Sequence, residues 1–71
     1  MELKNFEKAI EDFDQVIKLD PNYICALIGK GESLQSLGRN KEALEEYKKA
    51  LKIDPNNEEA INRKDELEIS N

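Results

Sequence analysis

Proton transfer, nucleophilic attack and metal binding each need particular side chains at particular spacings, and this 71-residue chain offers few of them. It has no His, so no Ser-His or Cys-His relay can form and the common zinc-ligand sets are missing. Cys25 is the single cysteine and reads as an inert, partly buried thiol. Asp12-x-Asp14 lacks the Gly and the distal Glu of a calcium loop, leaving two solvated carboxylates. Gly29-x-Gly31 follows no strand and is not continued as GxGxxG or by Lys-Ser/Thr, so it is no phosphate cradle. Glu45-Glu46 and Glu58-Glu59 are adjacent pairs, and adjacent residues diverge around a helix instead of converging on a substrate. The chain is therefore expected not to be an enzyme and to use no cofactor and no metal. Whatever it does, it does through its surface.

Composition narrows what that surface can meet. Charged residues make up 38% of the chain and apolar residues another 38%, the mixture of a small soluble helical domain. The net charge of −5 opposes sequence-independent binding to nucleic acid phosphates. No apolar run approaches the roughly 20 residues that a membrane helix needs. Met1-Glu2-Leu3-Lys4 does not read as a signal peptide. With one Cys there is no internal disulfide, and the expected location is the reducing cytoplasm.

The elements that position the surface are helices. Between Ile24 and Asn57 lie two helical patterns, joined at Gly38-Arg39-Asn40 and closed by Asp54-Pro55-Asn56. Leu27, Gly31 and Leu34 mark the first stripe; Ala43, Leu44, Tyr47, Ala50 and Leu51 mark the second. A step back of 34 residues finds the same features: Asp20-Pro21-Asn22 for Asp54-Pro55-Asn56, Ala9 for Ala43, Phe13 for Tyr47, Lys18 for Lys52. Forward by the same step, Ala60, Lys64 and Glu66 repeat Ala26, Lys30 and Glu32. One full unit is thus flanked by two half-units.

This period and pattern resemble the tetratricopeptide repeat. Its signature, W-x2-L-G-x2-Y, A-x3-F, a small residue and Pro, stands here as Leu27-x2-Lys30-Gly31-x2-Leu34, Ala43-x3-Tyr47, Ala50 and Pro55. The preceding half-unit has Ala9-x3-Phe13, Val16 and Pro21. Leu27 and Leu34 replace aromatics, Lys30 replaces Leu, and Val16 exceeds the usual small residue. The final half-unit departs most, with Asp65 for Gly31 and Glu68 for Leu34. The resemblance implies an all-α fold, a helical hairpin repeat forming a right-handed α-solenoid fragment of four antiparallel helices. It also implies one domain over residues 1–71: the second helix of a repeat at about 5–19, a full repeat at about 24–57, and a terminal capping helix at about 57–69.

Within this frame Asn5 is expected to cap the first helix and Asn22 the second. Gly38 should end the second helix in the left-handed conformation. Gly31 leaves room for the neighbouring helix, whereas Gly29, at a cost of about 1 kcal/mol, has no evident reason. Glu45 and Lys49 are spaced as an i,i+4 pair worth about 0.2–0.5 kcal/mol. In the last helix Ile61 is the clearest inward residue, beside Ala60, Lys64 and Leu67. Its outer face is polar, so the carboxyl end reads as finished and the amino end as open.

By resemblance, the first helices of successive repeats, here 23–37 and 57–69, line a concave groove that binds a protein or peptide. The groove residues would be Cys25, Ile28, Glu32, Gln35, Ser36, Glu59, Asn62 and Glu66. Such a groove is acidic with an apolar spot at Ile28, which suits a basic or mixed basic–apolar ligand; the alternative is that Ile28 and Cys25 pad a repeat junction. Carboxylate clamping, as practised by one subset of the family, does not fit Ile28 and Glu32. A second reading is self-association into a homodimer, by end-to-end stacking or by exchange of hairpin halves through a straightened Gly38-Arg39-Asn40 turn. Phe6, Ile10 and Phe13 would form the face, because the first helix has no partner helix before it. Each large side chain left wet forgoes about 1.5–3 kcal/mol of burial.

Overall fold

The computed structural model describes residues 3–70, with side chains described for residues 5–69. Four helices follow in order: α1 (Leu3–Leu19), α2 (Ile24–Ser36), α3 (Asn40–Ile53) and α4 (Glu58–Ser70). The described residues contain no strand, and each helix packs on the next. The result is the all-α helical repeat that the resemblance implies.

The turns explain the helix limits. Asp20 and Asp54 each accept the N–H two residues on, from Asn22 and Asn56, at 3.2 Å. Their own carbonyls accept from Tyr23 and Asn57 at 3.1 Å, so both Asp-Pro-Asn turns close identically. The following helix starts then differ. Asn57 Oδ1 accepts the Ala60 N–H at 3.0 Å and caps α4 with its side chain. At the equivalent place α2 has Tyr23, which makes no side-chain cap bond, so Asn22 is not the cap that the sequence suggested. Asn5 is no cap either, because α1 already runs from Leu3. Gly38 behaves as expected, with φ of +81°. It lets the Gly38 and Arg39 N–H groups reach back to the Gln35 and Leu34 carbonyls at 3.0 and 2.9 Å.

The centre of the fold is α2, which is held from two sides. On one, Leu27 and Leu34 meet Ala43, Tyr47 and Ala50 of α3, none more than 2% exposed. Gly31 admits the Tyr47 ring: a Cβ there would stand 2.5 Å from Tyr47 Cε1. On the other side α1 lays Phe13 over Gly29, where a Cβ would run into Phe13 Cζ, the nearest ring atom. Residues two apart point about 200° apart around a helix, so one glycine serves each neighbour. Gly29 has its reason after all. Lys30 ties the same pair of helices by reaching Asp14 at 2.6 Å.

Three further expectations are corrected. Ile28, read either as an exposed apolar spot of the groove or as padding at a repeat junction, is 5% exposed and belongs to the core, against the groove reading. In α4 the deeply inward residues are Ala60 and Leu67, while Ile61 is only half-buried. Lys49 turns to Glu46 at 3.4 Å and not to Glu45, and Glu46 is itself buried.

Candidate functional site

Once Leu27, Gly31 and Leu34 are committed to α3, the residues Glu32, Gln35 and Ser36 fall together on the part of α2 that faces α4. They form a shallow cleft of about 390 Å³ whose remaining wall is Arg63 of α4. A second cleft of about 410 Å³ continues along α4, lined by Glu59, Asn62, Arg63 and Glu66. Six of the eight residues expected in the groove therefore line two adjoining clefts. Cys25 is exposed but lines neither, and Ile28 is buried beneath the surface.

Arg63 is the member that the groove reading of the sequence leaves out. Its guanidinium stands 2.9 Å from Glu32 and 3.7 Å from Glu66, and it walls both clefts. The Glu66 contact was visible as an i,i+3 spacing; the Glu32 contact requires two helices to be side by side. In the first cleft Glu32 and Arg63 balance; in the second Glu59 and Glu66 outnumber Arg63, so the acidic excess of the pair lies along α4. All of these groups reach water, where each ion pair is worth at most about 1 kcal/mol. They set the charge of the surface more than its stability.

Behind the first cleft lies Tyr47, fully buried, its hydroxyl donating to Gln35 Oε1 at 3.0 Å. Burial, with the nearby Glu32 charge second, pushes the phenol from its ordinary 10 up to about 12. It stays protonated, and a donor, throughout the physiological range.

The face expected for self-association lies elsewhere. Phe6, Ile10 and Phe13 of α1 are all half-buried; Ile10 packs on the core and Phe13 covers Gly29. Among the described residues no three His, Cys, Asp or Glu side chains are grouped to hold a metal ion. No helix of the described residues is long and apolar enough to cross a membrane.

Comparison with known protein families matches residues 1–63 to a tetratricopeptide repeat model. Comparison with curated proteins finds no match. Repeats of this kind are generally protein–protein interaction modules that bind proteins or peptides and do not themselves catalyse reactions. With the match spanning most of the chain and the helical hairpins in place, the chain belongs to the tetratricopeptide repeat family.

Proposed function

We propose that the cleft between α2 and α4, with its continuation along α4, binds an extended, basic segment of another protein. The observation that carries this reading is charge: Glu32, Glu59 and Glu66 face the clefts against Arg63 alone. With Ile28 in the core, the surface has no apolar spot there, so a lysine- or arginine-rich ligand fits better than a mixed one. The exposed free thiol of Cys25 suits a reducing compartment such as the cytoplasm. A fluorescein-labelled peptide of alternating Ala and Lys tests the reading by anisotropy. It should bind, more weakly as salt rises, while an Ala-Glu counterpart does not. Equal binding of both peptides, or of neither, would count against it.

Self-association through α1 is the second reading, and the repeat supplies its own control. Ala43, Tyr47 and Ala50 are 0% exposed, whereas Ala9 and Phe13, 34 residues earlier, are half-buried and Val16 is 37% exposed. That face of α1 offers the surface that α2 covers on α3. Sedimentation equilibrium from micromolar to near-millimolar protein tests it. A dimer that Phe13→Glu abolishes with helicity retained supports the interface; a monomer throughout rules it out.

A further inference from the structure

We propose that Tyr47, though sealed from solvent, is a positioning residue for the first cleft: it fixes the Gln35 side chain so that the cleft presents a hydrogen-bond donor to a main-chain carbonyl of the bound segment. This rests on the groove reading above and adds what that end of the groove recognises.

The geometry carries it in three steps. Tyr47 donates to Gln35 Oε1 at 3.0 Å, which occupies the acceptor end of the amide. An amide held at its oxygen has its NH2 group on the opposite side, with two donors to place. Gln35 Nε2 donates to no protein group among the described residues, yet no buried side-chain nitrogen or oxygen there lacks a partner. Nε2 is therefore not sealed from solvent, and Gln35 lines the cleft.

The anchor itself is rigid. The Tyr47 ring is fully buried and seated on Gly31, so the hydroxyl cannot swing away from Gln35 without opening the core. Carboxylates alone would select positive charge anywhere along the surface. A fixed amide donor beside them adds a directional contact, of the kind that sets where an extended chain lies and which way it runs. An acceptor is the matching group, and a main-chain carbonyl is the acceptor that every extended segment carries.

The experiment uses 15N-labelled protein and the Ala-Lys peptide. Gln15 and Gln35 are the chain's only glutamines, so the Gln35 side-chain NH2 is readily assigned. In the wild type this NH2 should be restricted; in Tyr47→Phe, which keeps the ring, it should become as mobile as that of exposed Gln15. Tyr47→Phe should weaken the peptide about threefold to tenfold, and should weaken it no further in a Gln35→Leu background. An unchanged NH2 in Tyr47→Phe, or the same loss with and without Gln35, overturns the proposal. If the peptide binds neither protein, the groove reading and the carbonyl assignment fall together, while the NH2 measurement still decides whether Tyr47 positions Gln35.

Discussion

Replacing each of the two helical glycines by Ala separates packing from helix propensity. In an open helix interior, Gly→Ala stabilises by about 1 kcal/mol. At Gly31 the new methyl would lie 2.5 Å from Tyr47 Cε1, on a ring that is 0% exposed and tethered to Gln35. The ring cannot yield without moving α3, so overpacking at the upper end of its usual range, about 2–3 kcal/mol, is added. The balance is a net loss of about 1–2 kcal/mol. At Gly29 the methyl would meet the outer end of the Phe13 ring, which is half-buried and so less confined than the Tyr47 ring. There the gain in propensity and the lost contact should nearly cancel, within about 0.5 kcal/mol. Urea unfolding followed by helical circular dichroism measures both. A chain of this size shifts its Tm by about 4–8 °C per kcal/mol, so Gly31→Ala should melt clearly lower and Gly29→Ala close to the wild type. A Gly31→Ala protein as stable as the wild type would refute the account of the α2–α3 contact.

Other outcomes follow from the same packing. In a Tyr23→Phe protein, where Tyr47 is the one remaining tyrosine, phenolate absorbance should titrate with a midpoint of about 12. Because the folded value is raised, the stability that the neutral phenol contributes is whole below pH 10 and is lost as pH climbs through about 12; Tyr47→Phe should lack this loss. Leu67→Ala should cost about 2–4 kcal/mol in urea unfolding and Ile61→Ala distinctly less, since Leu67 is 2% exposed and Ile61 half-buried. Gly38→Ala, at φ of +81°, should cost about 1 kcal/mol by the same measurement.

The hairpins were legible because the two sides of each are written in neighbouring sequence. Ala43, Tyr47 and Ala50 recur at spacings that only a helix brings to one face, and Gly38 marks the break. What sequence concealed depends on α2 being held from two directions. Ala26, Leu27 and Ile28 are consecutive and all buried, a sweep of about 200° that a one-stripe reading cannot assign inward. Ile28 was accordingly left between groove surface and repeat junction, and Gly29 had no reason until Phe13 arrived from α1. Glu32, Gln35 and Ser36 could be grouped by helical spacing alone. The Arg63 contact with Glu32 and the Tyr47 bond to Gln35 could not, because each joins residues on different helices. The Asn22 cap failed for a local reason: both Asp-Pro-Asn turns close alike, but the residue after the turn is Tyr23 before α2 and Asn57 before α4, and only Asn57 has a side-chain oxygen placed to cap.

The most direct test of the central claim is a 1H-15N spectrum of the labelled protein titrated with the Ala-Lys peptide. The account predicts that the shifted amides cluster at Glu32, Gln35, Ser36, Glu59, Asn62, Arg63 and Glu66, and that the same peptide leaves the outward side of α3 unmoved. Shifts confined to α1, or spread evenly over the acidic surface, would contradict a groove between α2 and α4.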